Sequence, residues 1–149
     1  MKVLAENKKA FFEYEILEKM EAGIVLTGQE VKSIRLGRAN LGGSFVVLTA
    51  EEPQLLNAKI PAYQIKNAPA DYDETRTRKL LLKKHEIKRL IGKSREKGLT
   101  MVPLRMYTKQ RKIKVEIAIV KKKSKKDKRK TIKKRQSKRE IERALKTRG

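Results

Sequence analysis

The chain has 149 residues, a net charge of +23, one histidine and no cysteine. A length of this order allows one domain of about 120 residues with a sizeable core, which must be stable without disulfides. The lack of cysteine excludes thiol chemistry and Cys-based metal sites, and it fits a reducing cytoplasm. A single histidine excludes His-rich metal sites within one chain, so we expect no metal and no cofactor.

The positive charge is concentrated at the C-terminus. Residues 121–149 include 16 basic and three acidic residues, a local net charge of +13, which leaves +10 on residues 1–120. A tail this basic on an already basic domain needs a polyanionic partner, and nucleic acid fits best. The N-terminus reaches Glu6 before any apolar region develops, and apolar runs such as 117–120 are far shorter than a membrane span. We expect a cytoplasmic protein without a membrane segment.

The first 60 residues predict four strands and one short helix. Residues 11–27 alternate apolar side chains with glutamates, as in a half-buried strand, until Ala22-Gly23 is expected to break the strand into two. Residues 28–37 predict one or two helical turns that end at a glycine. Two stretches rich in β-formers, 44–48 and 55–60, predict the next strands, with a turn at the residues between them.

The second half of the domain adds a longer helix and two final strands. Residues 61–79 contain two prolines and predict a long surface loop. Apolar residues at helical spacing predict a helix over 84–97. Residues 99–107 form a strand pattern that Pro103 interrupts, which favours an edge position or a bulge, and 112–120 alternate again. We expect a mainly β domain, a small closed or nearly closed antiparallel barrel with packed helices. An open α+β sheet is the alternative.

The tail has few apolar residues and cannot bury enough surface to offset the entropy of ordering it. We therefore expect residues 121–149 to be disordered when free. They contain no proline and no internal glycine, so an anionic partner is expected to let them fold as a helix.

Candidate catalytic residues are few. The glutamates at 13, 15, 18 and 21 alternate along a predicted strand, which favours a solvated face. His85 at a helix start is expected to be an ordinary surface residue. The sequence contains no nucleophile elbow, no P-loop and no zinc-protease motif. We expect no catalytic residues, and hence a protein that is not an enzyme.

The basic residues of the domain fall in clusters that are expected to form at least one continuous patch. The clusters are Lys8-Lys9, Lys32 with Arg35 and Arg38, Arg76-Arg78-Lys79, Lys83-Lys84, and Lys109-Arg111-Lys112-Lys114. The chain has no tryptophan, and Phe12, Tyr14 and Phe45 alternate as if into the core. Few rings remain to stack bases, which favours recognition of shape and backbone on structured RNA or a duplex.

Three sequence blocks in the same order resemble the small protein B family, the SsrA-binding proteins that are partners of bacterial transfer-messenger RNA. The blocks are EAGIVLTGQEVKSIR at 21–35, TRTRKLLL at 75–82 and GLTMVPL at 98–104, with shorter matches at 114–116 and 127–129. The resemblance covers residues 6–149. It implies that residues 1–120 are an OB-like antiparallel β-barrel that binds the elbow of the tRNA-like domain of this RNA.

The resemblance also implies a function. The protein would deliver transfer-messenger RNA to stalled ribosomes for trans-translation, which rescues the ribosome and tags the peptide. The tail would fold as a helix in the empty mRNA channel, near the decoding centre and against ribosomal RNA. Elongation factor Tu, reached through the RNA, would be a further partner. A structural ribosomal protein is the main alternative, since a small basic barrel with a tail describes many of those.

By motif match, Glu21, Leu81 and Lys114 lie at RNA-binding positions of the family. Lys114 would neutralise a phosphate, and Glu21 would accept a hydrogen bond from a base or a 2′-hydroxyl near Gly23. A structural hydrogen bond to nearby backbone is the alternative for Glu21, and a core position for Leu81. Lys32 and Arg35, one helical turn apart, are expected to bind the same RNA backbone.

In the tail, the residues expected to contact the ribosome are Lys121, Lys123, Lys125, Asp127, Lys128 and Arg129. Two positions depart from the family pattern. Lys122 stands where the family usually has glycine, and Lys126 stands where it usually has histidine or an aromatic residue. Lys126 lacks a ring that could stack on ribosomal RNA and offers a charge on an alkyl stem instead.

Overall fold

The structure is a computed structural model that describes residues 1–124 and, in the tail, residues 126, 128–130, 132–133, 135–136 and 139. Its seven strands are β1 Lys2–Glu6, β2 Tyr14–Ile24, β3 Phe45–Thr49, β4 Glu52–Leu56, β5 Arg78–Leu81, β6 Leu99–Lys109 and β7 Lys112–Lys122. The helices are α1 Lys8–Glu13, α2 Gly28–Arg35 and α3 Lys84–Ser94, and a short 3-10 turn spans Ile65–Asn67.

The strands form one antiparallel sheet in the order β1-β6-β7-β2-β5-β4-β3. The sheet curls so that β3 packs close to β6. Within the described residues no ladder joins the end strands β1 and β3, so the sheet is not closed. The prediction of a mainly β, antiparallel domain with flanking helices is confirmed, and a fully closed barrel is not found.

The main core lies on the inner face of the curled sheet. The predicted alternation of β7 places Val115, Ile117 and Ile119 in this core, where they pack with Ile34 of α2 and Leu90 of α3. A second, smaller apolar cluster lies on the outer face, where α1 packs; it comprises Ala10, Val102, Leu104, Ala118 and Val120. The outer face is therefore apolar beneath α1 and polar beyond it.

Two predictions for residues 11–27 are wrong. Residues 11–13 belong to helix α1, Lys8–Glu13, rather than to a strand. Asn7 starts this helix by accepting from the backbone of Ala10 at 3.1 Å and donating to the carbonyl of Pro103 at 2.9 Å. In addition, β2 continues through Ala22-Gly23 to Ile24, because both neighbouring strands pair with it there. The start of α1 and the length of β2 are thus both determined by contacts between residues that are distant in the sequence.

Most other predicted elements lie near their expected bounds, but the strand expected at 55–60 is β4 at Glu52–Leu56. Strands β1 and β5 were not expected, and β5 begins inside the loop expected at 61–79. Gly37 and Gly98 follow α2 and α3 with φ of 76° and 85°, the left-handed conformation that glycine adopts without strain. The turn before β4 lies at Ala50-Glu51, and Pro53 is already part of β4. Pro103 lies beyond the β1 ladder, which stops at Arg105, so at this position β6 pairs only with β7. The predicted bulge is present as a register shift after Pro103.

Strand β7 ends at Lys122, two residues beyond the predicted end of the domain at residue 120. The described tail residues from 126 onward have helical conformation. The backbone N–H of Lys128 donates to the carbonyl of Ser124 at 3.1 Å, a helical hydrogen bond. Lys125 and Asp127 lie outside the described residues. Disorder of the free tail and its folding on the ribosome stay predictions.

Candidate nucleic-acid interface

Three of the predicted RNA-binding residues lie in one row across the sheet. Gly23 in the centre of the row pairs with Leu81 of β5 on one side and with Lys114 of β7 on the other. Lys114 in turn pairs with Tyr107 of β6. Side chains of paired residues are neighbours on one face, and Glu21, two residues before Gly23, shares that face. The row therefore brings together residues that are up to 91 positions apart in the sequence.

A side chain at position 23 would crowd Leu81, which approaches Gly23 closely. A Cβ atom built on Gly23 would lie 3.2 Å from Cβ and 3.5 Å from Cδ1 of Leu81. The missing side chain lets Leu81 lie against the backbone of β2, and the side chain of Leu81 is nevertheless half exposed. This exposure excludes the core position considered for Leu81 and leaves an apolar contact surface.

A cleft of about 310 Å³ adjoins the row between β2, β7 and α2. Apolar side chains in its lining are Ile24, Leu26, Val31, Leu81 and Ile113. Basic side chains in its lining are Arg35, Arg111, Lys112 and Lys114. The Nη2 of Arg35 donates to the carbonyl of Arg111 at 3.2 Å, which links α2 to the turn before β7. Apolar and cationic groups in one cleft suit a nucleotide, which has an aromatic base and an anionic phosphate.

Lys32 does not line this cleft, although it lies one helical turn from Arg35 on α2. Its Nζ lies 5.4 Å from the centroid of the Tyr63 ring, in a cation–π contact with the loop before β5. The structure therefore brings Arg35, and not Lys32, to the row formed by Gly23, Leu81 and Lys114.

The Glu21 carboxylate is held by side chains, not by nearby backbone. The hydroxyl of Tyr107 donates to Oε2 at 2.6 Å, and Nζ of Lys109 lies 3.3 Å from Oε2 and 3.4 Å from Oε1. The hydrogen bond from Tyr107, with those of Lys109 and the charge of Lys114, lowers the pKa of Glu21 despite some burial. Burial and the bond to Glu21 raise the pKa of Tyr107, which keeps its proton for donation.

Sequence reasoning missed Tyr107 as a residue of this site. The period of two in a strand was a usable signal, since it places residues 105, 107 and 109 of the predicted strand on one face. What the pattern lacked was the register that sets Tyr107 opposite Lys114.

Two arginines predicted for the basic patch are instead structural. Arg78 is fully buried, and its Nε donates to Oε2 of Glu30 at 2.6 Å; Arg76 donates to Oε1 at 2.6 Å. Burial disfavours the Glu30 charge, but these bonds and one from the backbone of Thr27 hold the pKa of Glu30 below its ordinary value. The buried Arg78 charge is thus neutralised inside the domain and is not available to a polyanion.

The predicted tail residues begin at the opposite end of β7. Lys121 pairs with Glu15 in the sheet, and Lys122 pairs with Tyr14 as the last residue of β7. The backbone of Lys123 donates to the carbonyl of Glu13, and its Nζ donates to that of Phe11. Lys128 lies 5.9 Å from the Phe12 ring centroid, and Arg129 is exposed in helical conformation.

The family model described as SmpB protein matches residues 4–147 of the chain. The chain belongs to the SmpB protein family. Among relatives named SsrA-binding protein, that of Sulfurihydrogenibium sp. (strain YO3AOP1) is 56% identical over 97% of this chain and 95% of the relative. The protein of Carboxydothermus hydrogenoformans is 51% identical over 99% of this chain and 98% of the relative. Membership confirms the predicted resemblance.

A solved structure supports the SmpB family assignment. It is described as "tmRNA-SmpB: a journey to the center of the bacterial ribosome", and its matching chain is 46% identical. The match has a TM-score of 0.69 and covers 84% of this chain and 87% of that chain. Over the residues that the structure describes, no helix of this SmpB family member is long and apolar enough to cross a membrane. The same residues contain no acidic or histidine cluster suited to a metal ion.

Proposed function

We propose that this SmpB family member binds transfer-messenger RNA and delivers it to stalled ribosomes for trans-translation. The single observation that supports the RNA-binding surface is the row of Gly23, Leu81 and Lys114 beside Glu21, at a cleft lined by apolar and cationic side chains. The relatives named SsrA-binding protein and the solved tmRNA–SmpB structure support the identity of the RNA and the link to the ribosome.

The predicted RNA-binding residues have different proposed roles in binding the tRNA-like domain of the RNA. Lys114 and Arg35 neutralise phosphates, since each is a cation at the cleft. Leu81 and the apolar lining contact an unstacked base, and Glu21 accepts a hydrogen bond from a nucleotide. Lys32 contributes positive charge to the approach of the RNA from its position near Tyr63.

The tail has a separate proposed role on the ribosome. Its residues, among them Lys123, Lys128 and Arg129, occupy the empty mRNA channel near the decoding centre as a helix against ribosomal RNA. The helical conformation of the described tail residues and the local charge of +13 support this role. The protein acts in the cytoplasm and has no catalytic role of its own. Elongation factor Tu is a partner that it meets through the RNA.

The decisive experiment compares binding of the full chain to the tRNA-like domain and to ordinary tRNA over a range of salt. A preference for the tRNA-like domain that persists at high salt is expected, because shape recognition is less salt-dependent than general charge attraction. Equal binding that disappears with salt would contradict the proposal. It would favour a structural ribosomal protein, which remains on ribosomes in stoichiometric amounts through a high-salt wash.

A charge-matched pair of variants tests the site. Lys114→Ala is expected to reduce the magnitude of the salt slope by about one, as for a single lost phosphate contact. Lys97→Ala removes the same charge near the start of β6, at the far end of the strand that contains Tyr107. Leu99 and Tyr107 are eight positions apart, about 26 Å at strand spacing, so Lys97→Ala is expected to change the slope less. Equal slopes for both variants would count against a phosphate contact at Lys114.

A further inference from the structure

Tyr107 bridges three strands to reach Glu21. It starts from β6, passes β7 and donates its hydroxyl to Oε2 of Glu21 on β2 at 2.6 Å. Strands lie about 4.8 Å apart, so this contact spans roughly two strand separations. The tyrosine side chain is nearly buried, with 4% of the residue exposed, while Glu21 is exposed. The rigid, buried Tyr107 side chain thus holds the flexible, exposed carboxylate of Glu21.

The hydrogen bonds are distributed unequally over the two carboxylate oxygens of Glu21. Oε2 accepts from Tyr107 and lies 3.3 Å from Nζ of Lys109. Within the described part of the chain, the only hydrogen bond to Oε1 is the long one from Lys109, at 3.4 Å. An ionised carboxylate only accepts, and each oxygen can accept two hydrogen bonds. Oε1 therefore retains acceptor capacity toward a molecule bound on the outer face.

We propose that Tyr107 is a positioning residue for RNA recognition, which fixes the Glu21 carboxylate so that Oε1 accepts a hydrogen bond from an RNA nucleotide. This inference rests on the proposed function of the cleft and deepens it. A free glutamate samples several rotamers, and ordering it on binding costs conformational entropy. A fixed partner removes that cost before the RNA arrives, so preorganisation by Tyr107 increases affinity.

The charges around Glu21 keep this arrangement in one protonation state. Lys109 and Lys114 face the carboxylate, while Glu116 pairs with it in register and is itself paired with Arg105 at 3.3 Å. The lowered pKa of Glu21 keeps its carboxylate ionised as an acceptor, and the raised pKa of Tyr107 keeps its hydroxyl protonated as a donor. The hydrogen bond between them is therefore expected to persist across neutral pH.

Tyr107→Phe in the full chain tests the proposal, because it retains the buried ring and removes only the hydroxyl. Affinity for the tRNA-like domain is expected to fall about tenfold, equal to about 1.4 kcal/mol, while the protein stays folded. Tyr72→Phe is the matched control. It removes a hydroxyl that donates to the carbonyl of Ile60 at 2.8 Å, away from the row, and is expected to leave RNA affinity unchanged.

A double-mutant cycle with Glu21→Ala separates positioning from a general structural role. If Tyr107 acts through Glu21, Tyr107→Phe has no further effect on RNA affinity once Glu21 is alanine. Additive losses would overturn the proposal, as would a parallel loss of stability and affinity in both backgrounds. An unchanged affinity of Tyr107→Phe, with a loss for Glu21→Ala, would overturn positioning but retain the cleft. If Glu21→Ala, Leu81→Ala and Lys114→Ala all bind normally, the proposed RNA site itself is wrong.

Discussion

At the scale of single residues, Glu30 joins three parts of the fold. Its two oxygens accept from Arg76, Arg78 and the backbone of Thr27, so it caps α2 and ties that helix to β5. Arg78 in turn donates to the carbonyls of Ala58 at 2.6 Å and Glu74 at 3.0 Å. A buried ion pair is stable only when its remaining donors and acceptors are satisfied, and these bonds satisfy them.

Glu30→Gln is therefore expected to destabilise the domain by about 3–5 kcal/mol, because it leaves the buried charge of Arg78 uncompensated. Urea unfolding at pH 7 measures the change. Glu96→Gln is the control, since Glu96 pairs with Lys93 on the surface at 3.2 Å and exposed pairs contribute at most about 1 kcal/mol. Similar effects of the two substitutions would show that the buried pair adds no special stability.

The effect of Glu30→Gln on stability is expected to depend on pH. The pKa of Glu30 in the folded protein lies below its ordinary value, about 4.3 in the unfolded chain. Its ionisation therefore stabilises the fold above that pH, and the contribution is lost as the pH falls through the folded-state pKa. The stability difference between the wild type and Glu30→Gln is expected to be full at pH 7 and to shrink below about pH 4. A constant difference down to pH 3 would contradict this assignment.

At the scale of elements, the local sequence pattern predicted a strand or helix correctly where the contacts made in the fold favour the same structure. The period-2 alternation of residues 112–120 correctly gives β7, and Gly37 directly follows the C-cap of α2, as expected. The six residues of α1 could not be predicted, because the bonds from Asn7 to β6 join positions 96 apart. A short helix of this kind depends on tertiary contacts rather than on its own propensity.

The candidate site was predictable only in part for a related reason. The family motifs pointed to Glu21, Leu81 and Lys114, but the row that unites them depends on strand register, which no local pattern contains. Charge patterning placed Arg78 on a basic surface. The structure buries it instead, because Glu30, 48 residues away, offers a compensating carboxylate.

The close contact between β2 and β5 gives a prediction for Gly23. Gly→Ala within a strand normally stabilises by roughly 0.5–1 kcal/mol, but here the new Cβ would meet Leu81 at 3.2 Å. Gly23→Ala is expected to gain no stability and to lower RNA affinity severalfold, because it displaces Leu81. Gly92→Ala in α3 is the control: its Cβ meets nothing within 4 Å, so about 1 kcal/mol of stabilisation is expected with unchanged RNA binding. Unaltered RNA binding by Gly23→Ala would remove Leu81 from the interface.

At the scale of the whole molecule, two basic units are joined at opposite ends of one strand. Lys114 at the cleft and Lys122 at the start of the tail are eight residues apart on β7, about 26 Å at strand spacing. The tail begins beside α1, where Lys123 donates to the carbonyls of Glu13 and Phe11. This separation allows the domain to bind one RNA surface while the tail contacts another.

Removal of the tail tests that division of roles. The shortened chain has to retain every residue up to Ser124, because Lys121 and Lys122 complete the pairing of β7 with β2. The shortened protein is expected to lose peptide tagging in a reconstituted stalled-ribosome assay. Its preference for the tRNA-like domain over ordinary tRNA is expected to persist, with a smaller salt slope because fewer cations meet phosphates. If the preference disappears with the tail, specificity does not reside in the β domain; if tagging persists, the tail is dispensable for its proposed role.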